Sequence, residues 1–271
     1  MDSIILANDV NLDKFEISSL KTLQNGGKMA FLNYNSGRLT TQLPRKMRLP
    51  FGISEYTSEE TGNTKYWINV TLDKREKVLN FKKLIEDVDN YVIDHAFKNS
   101  KQWFKGTQYK TREILEALYT SNIKYSKDKE TGEINDKYDP TLKINIPQRD
   151  GEFNISIFDK NANEISRNDI DNLKNLFKGS EASVIMECGG IWVAGSKFGI
   201  TWKVVQLQVF PKESINGFAF LKTDDDNDND IDNIKEISND LNSLNVSKNE
   251  VEESDSDDDD ENDSDDDDEK K

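Results

Sequence analysis

Apolar and polar residues alternate along much of this chain up to about residue 210. Over Lys65–Leu72, Tyr66, Ile68, Val70 and Leu72 share one face while Lys65, Trp67, Asn69 and Thr71 share the other, the signature of a half-buried strand. Leu142–Ile146 and Phe153–Phe158 alternate in the same way, with Leu142, Ile144 and Ile146, then Phe153, Ile155 and Ile157, facing inward. Ala182–Cys188 predicts a further strand. Gly189-Gly190 interrupts it, Ile191–Ala194 resumes it, and Gly195-Ser196 turns the chain before a long strand over Ile200–Phe210. Lys28–Tyr34 predicts an early strand, and Glu59-Glu60-Thr61-Gly62-Asn63 predicts a turn ahead of Lys65.

Three stretches change period. Val78, Phe81, Ile85, Val88 and Val92 recur at three- and four-residue spacing, so one apolar stripe predicts a helix from about Lys74 to Ala96. Asp73-Lys74-Arg75-Glu76 resembles a capping box at its start. Thr111–Tyr119 predicts a second helix through Ile114, Leu115 and Leu118, and Asn172–Phe177 a short third one. The charged stretch Ser126–Tyr138, with Thr131-Gly132 inside it, reads as an excursion or hairpin tip. Many short strands with few helices predict a mainly β fold: a small, partly open barrel with a helical insertion at about 74–119.

Charge divides the chain. The net charge of −16 is unevenly spread: residues 223–271 carry 23 acidic and 4 basic side chains, and residues 1–222 carry 29 acidic and 32 basic. All aromatic residues fall in the first segment. Residues 1–222 therefore read as one globular domain, and 223–271 as a disordered acidic tail that cannot bury a core. No apolar run reaches the roughly 18 residues that span a bilayer, so no membrane association is expected. Met1–Leu6 shows no secretory signal. The single cysteine, Cys188, suits a reducing compartment, and with the single histidine, His95, it cannot build a Cys/His zinc site within one chain. The acidic run from Asp224 to Asp232 imitates a calcium loop but has Asn229 at the sixth position and Lys235 at the twelfth, so it is rejected. No catalytic constellation and no cofactor motif is found, and the chain is expected not to be an enzyme.

The informative signal is a local absence of acids. Arg38–Ser54, His95–Arg112 and Cys188–Lys212 contain none, yet hold basic residues interleaved with Phe51, Phe97, Trp103, Phe104, Tyr109, Trp192, Phe198, Trp202 and Phe210. Lys and Arg neutralise phosphates, and aromatic faces stack on unpaired bases, so this mixture suits single-stranded nucleic acid. The ordinary alternative is a core of aromatics under a solvated face. Strand parity speaks against that alternative: Trp67 shares a face with Lys65 and Asn69, and Trp202 shares a face with Gln206 and Gln208, opposite Val205, Leu207 and Val209. Stacking alone does not distinguish DNA from RNA.

The stretch Ile191-Trp192-Val193-Ala194-Gly195-Ser196-Lys197-Phe198-Gly199-Ile200-Thr201-Trp202-Lys203 resembles the single-stranded-DNA-binding proteins of nucleocytoplasmic large DNA viruses of the giant amoebal type. Those in turn look related to the single-stranded-DNA-binding protein of short-tailed phages. The resemblance implies a five-stranded Greek-key barrel of the oligonucleotide/oligosaccharide-binding kind and no enzymatic activity. It implies an acidic tail that competes with DNA and recruits replication proteins such as a viral polymerase, helicase or primase. It also implies a homodimer, and a place in the viral replication factory of the host cytoplasm. Carried over, Lys197, Phe198, Trp202 and Lys203 lie on or beside the nucleic-acid surface. The phage tail ends in an aromatic residue, whereas this chain ends Glu269-Lys270-Lys271 and has no aromatic in its acidic segment.

The expected function is coating of single-stranded DNA during replication, recombination or repair. Trp67, Trp103, Phe198 and Trp202 would stack on bases, and Arg45, Lys46, Arg48, Lys65, Lys105 and Lys197 would meet phosphates. The rival reading is a histone-chaperone-like or genome-packaging protein that holds basic proteins through its acidic tail, with the aromatics as core.

Overall fold

The structure is a computed structural model that describes residues 4–212. The expected acidic tail at 223–271 lies outside the described residues. The elements that build the fold are, in chain order, β1 (Lys28–Ala30), β2 (Thr40–Gln42), β3 (Met47–Arg48), β4 (Ile53–Thr57), β5 (Thr64–Thr71), α1 (Glu76–Lys98), α2 (Ser100–Trp103), α3 (Arg112–Leu118), β6 (Tyr119–Thr120), β7 (Thr141–Ile146), β8 (Ser156–Phe158), α4 (Ile170–Phe177), β9 (Glu181–Ala194) and β10 (Lys197–Phe210).

Pairing closes the main sheet on itself. β4 runs antiparallel to β5 and β5 antiparallel to β7. β7 then lies parallel to β10, which forms a long antiparallel hairpin with β9. β9 returns to β2 and β3, which belong to the same stretch of chain as β4. Counting 40–57 as one bent strand, the order is first, second, third, fifth, fourth and back to the first. That is the five-stranded Greek-key barrel of the oligonucleotide-binding kind. The fold is thus mainly β with helical insertions, as the alternation predicts.

The inward-facing residues explain the closure. Ile68, Val70, Leu142, Ile144, Val184, Leu207 and Val209 are fully buried, and so is the α1 stripe of Val78, Phe81, Ile85, Val88 and Val92. Burying such side chains stabilises by roughly 1.5–3 kcal/mol each. α1 forms two residues later than its periodicity predicts, because the capping box does not form. Asp73 instead folds back onto Arg75, accepting from its backbone N–H at 3.0 Å and from Nε at 2.9 Å, and Arg75 becomes the N-cap without a side-chain bond.

Two irregularities interrupt the β9–β10 hairpin. The register slips between Cys188 and Gly190, so Gly189 is an extra residue in β9, and Gly190 has φ +119°. It slips again where Ile185 pairs with Gln206 and Met186 with Val204, so Val205 is an extra residue in β10. A one-residue bulge exchanges the faces of everything beyond it. Before Val205 the buried side chains of β10 are Phe198, Ile200, Trp202 and Val204; after it they are Leu207 and Val209.

Candidate nucleic-acid interface

The Val205 bulge overturns one expectation. Trp202 does not share the outward face of Gln206 and Gln208; it is 1% exposed, in the barrel interior, and its Nε1 finds no hydrogen-bond partner among the described residues. Uniform alternation over Ile200–Phe210 misses the extra residue and so assigns Trp202 to the wrong face. Trp103 and Phe198 are also corrected. Both are buried in one aromatic cluster, with Phe198 at 6.1 Å from Trp103, 5.4 Å from Phe104 and 5.2 Å from Tyr119, all edge-on. They fasten the helical insertion to the tip of the β9–β10 hairpin, so three of the four expected stacking residues are core.

Trp67 remains on the surface. Its neighbours across the sheet are Ser54 on β4 and Asn145 on β7, and Asn145 is followed by Lys203 on β10 and Glu187 on β9. The Lys143 ammonium lies 4.1 Å from the centre of the Trp67 ring. Lys65 stands one pair further along, opposite Tyr56, which is 59% exposed. Asn145, Lys203 and Glu187 each lie between two buried neighbours, and the cross-strand register carries the same outward row to Trp67 and Ser54 and on to Lys65 and Tyr56. Lys203 lies over Gly189, where a Cβ would come within 2.8 Å of its Cε; the glycine lets the lysine cross β9.

On this face Glu187 is held by Arg38 at 3.3 Å. Glu55 lies on the opposite face, across from Tyr66, where Lys174 holds it at 2.7 Å. Beyond Lys203 the outward residues of β9 and β10 are Ile185 and Gln206, then Ser183 and Gln208; with Gln42 and Arg45 they line a cavity of about 210 Å³. Past it come Arg48, opposite Glu181 on β9, and Lys46, whose ammonium lies 4.9 Å from the Phe210 ring centre. The loop that carries Arg45 and Lys46 is fixed from below, because Arg75 donates to the Arg45 carbonyl at 3.2 Å and to the Lys46 carbonyl at 3.1 Å. Asp73 supports that clamp: burial opposes its charge, but hydrogen bonds from Arg75 hold its carboxyl below the usual range.

The three acid-poor windows therefore meet only in part. The first and third share one face through the β9 ladder. The second sits at the hairpin tip, where exposed Lys105 has φ +45° and Lys197 opens β10 six residues before Lys203, about 20 Å along an extended strand. Arg112 there is engaged by Asp94 and Glu116.

A family model matches residues 68–221, more than half of the chain. The chain belongs to a family of unknown function, DUF5871. The part that defines this family begins within β5 and takes in β7, β9 and β10, so Asn69, Lys143, Asn145, Lys203 and Gln206 all lie inside it, while Tyr56 and Trp67 lie just before it. No curated protein matches the chain. Among solved structures it is similar to the single-stranded DNA-binding protein from bacteriophage Enc34 in complex with ssDNA, at 15% identity and a TM-score of 0.41 over 74% of this chain and 99% of that one. It is also similar to gp2.5, a single-stranded DNA binding protein encoded by bacteriophage T7, at 9% identity and a TM-score of 0.41 over 68% of this chain and 98% of that one.

Several residues of the DUF5871 face escape a search for acid-poor windows. Lys143 and Asn145 lie outside all three windows, yet the alternation of Leu142, Ile144 and Ile146 already assigns them to the outer face. Tyr56 follows from the turn at 59–63, since a strand leaving that turn through Lys65 requires a partner entering it.

Proposed function

We propose that this protein binds single-stranded nucleic acid, with single-stranded DNA as its ligand, across the outer face of β5, β7 and β10. The observation that carries the reading is Trp67 with Lys143 on its ring, flanked by Tyr56, Lys65, Asn145 and Lys203. A half-buried Trp67 with an ammonium on its ring and an exposed Tyr56 across from Lys65 suit a base stack and its phosphate together, and stacking is worth roughly 1–3 kcal/mol per base. Arg45, Lys46 and Arg48 extend the basic track at one end. Lys105 and Lys197 engage only a strand long enough to reach the hairpin tip. The protein acts by coating DNA during replication, recombination or repair and not by chemistry. The acidic segment 223–271 competes with DNA for this face and recruits basic partners.

A chaperone-like protein that works through its acidic segment is the rival, and the burial of Trp103, Phe198 and Trp202 favours it as far as those three residues go. Titration of labelled oligo-dT with the full chain and with residues 1–222, read by anisotropy at two salt concentrations, separates the two. The expected result is binding by both, tighter for the shorter chain at low salt. If the shorter chain binds at neither salt, the rival stands.

A further inference from the structure

The cavity at the Val205 bulge has a chemistry of its own. It is lined by three glutamines, Gln42, Gln206 and Gln208, by Ser183 and Arg45, and by the apolar Val184 and Ile185. Ser183 Oγ is buried and has no hydrogen-bond partner, one of two such side-chain atoms among the described residues. Buried polar atoms are almost always satisfied, so an unpartnered hydroxyl on a residue lining a polar cavity calls for a partner from the cavity side, a water or a ligand atom. Gln42 and Gln206 also make no side-chain hydrogen bond among the described residues, and the Gln208 amide nitrogen donates one N–H to the Asp159 carbonyl at 3.3 Å, which leaves its oxygen and its second N–H to offer.

This donor and acceptor set discriminates between ligands. A phosphate oxygen only accepts. It would use Arg45, Ser183 and the amide N–H groups but would leave the carbonyl acceptors of Gln42, Gln206 and Gln208 without a partner. A nucleobase edge presents donors and acceptors side by side, which a carboxamide meets in pairs. The volume of about 210 Å³ is below that of a drug-sized pocket and suits one heterocycle, not a base pair. The cavity also lies directly beyond Lys203 on the outer face, so a strand stacked on Trp67 reaches it without leaving the sheet.

We infer that this cavity receives one unpaired base and reads its edge, so that the protein distinguishes between single-stranded sequences instead of coating them uniformly. The inference rests on the single-strand reading above. The test measures affinities of the full chain for labelled oligo-dT, oligo-dA and oligo-dC of about 12 nucleotides, within the span of one such barrel. The same strands are then titrated with a Ser183→Ala/Gln206→Ala variant and, separately, with Gln42→Ala, each checked for an unchanged melting temperature.

The wild type is expected to spread at least about fivefold across the three strands, the lower end of what one paired edge contributes. In both variants the spread should shrink to within about twofold, with the salt slope unchanged because no charge is removed. A spread that survives in both variants belongs to the strands' own stacking and overturns the inference. So does a uniform loss of affinity with rank order intact, which would mean a phosphate subsite. If the wild type binds all three strands equally, the inference fails while the single-strand reading holds. If it binds none of them, that reading falls as well.

Discussion

Trp67 and Trp202 are indistinguishable by strand parity in the sequence but opposite in the structure, and substituting each with alanine tests the whole assignment. Trp67→Ala removes an outward ring and its contact with Lys143, worth about 0.5–1 kcal/mol at an exposed site, so the fold should tolerate it. If the ring stacks on a base, the loss of about 1–3 kcal/mol weakens oligo-dT binding roughly 5- to 150-fold. The salt slope stays constant, since no phosphate contact disappears. Trp202→Ala removes a side chain that is 1% exposed and leaves a cavity, a change that costs about 3–5 kcal/mol. For a domain of this size that is a fall in Tm of very roughly 6–20 °C, at 2–4 °C per kcal/mol. The unpartnered Nε1 of Trp202 refines the expectation. Trp202→Phe keeps most of the ring and discards the orphan donor, so its Tm should lie closer to wild type than to the alanine variant. Thermal denaturation and anisotropy on the same samples read both quantities. A Trp67→Ala protein that binds like wild type, or a Trp202→Ala protein that keeps its Tm but loses DNA, would refute the reasoning.

Two further outcomes follow from the geometry. Lys203→Ala should flatten the salt dependence of oligo-dT binding by about 0.7 in the log–log slope, the single-strand value for one phosphate contact; an unchanged slope removes Lys203 from the track. Asp89 is on the buried face of α1, accepting from Tyr119 Oη at 2.5 Å and Ser121 Oγ at 2.9 Å. Burial pushes its carboxyl up to about 6 against the pull of those two hydrogen bonds, with nearby Glu86 adding to the rise. The folded state then holds this proton more tightly than the unfolded chain, so the associated stability is complete below about pH 4 and lost as pH rises through 6. Urea denaturation should show Asp89→Asn flattening that fall by about 2–3 kcal/mol between pH 4 and 7.5, and parallel pH curves for the two proteins would contradict it.

The parts of the fold legible in the sequence are those where one rule acts alone. Strands such as Leu142–Ile146 and the α1 stripe are set by a single period, and each was found within about two residues of its bounds. Closure of the barrel depends on pairings between residues far apart, such as Glu187 with Thr40 and Asn145 with Lys203, which no local window contains. The candidate site was half legible for a related reason. Basic and aromatic clustering points to Lys203, and parity points to Trp67 with Lys65 on the same face. Clustering alone cannot separate Trp103 and Phe198, which pin an insertion to a hairpin, from an aromatic on the open face. Lys143 and Tyr56 carry no composition signal: alternation puts Lys143 on the outer face and the 59–63 turn implies a strand at Tyr56, but only the pairing shows that they stand beside Trp67 and Lys65.

The bulge at Val205 shows how a single residue decides such a reading, and it yields a sharper expectation than either tryptophan alone. Val204 and Leu207 both face the interior although three positions separate them, which uniform alternation forbids. Removing Val205 restores alternation: Ile200, Trp202 and Val204 keep their faces, and Leu207 and Val209 fall into step with them. A deletion in the middle of a central strand should then fold cooperatively, with Trp202 still buried and its fluorescence still blue-shifted. Removing Thr201 instead sets Ile200 and Trp202 side by side on opposite faces, so one must leave the core at a cost of roughly 1.5–3 kcal/mol, before counting the residues beyond it. The two deletions remove one residue each from the same strand, so chain length and loop entropy do not differ between them, and the difference in their unfolding midpoints reports the bulge itself. If the Val205 deletion is the more damaging of the two, the extra residue is needed to bend β10 for closure, and the outward aim of Gln206 and Gln208 would depend on that bend and not on parity.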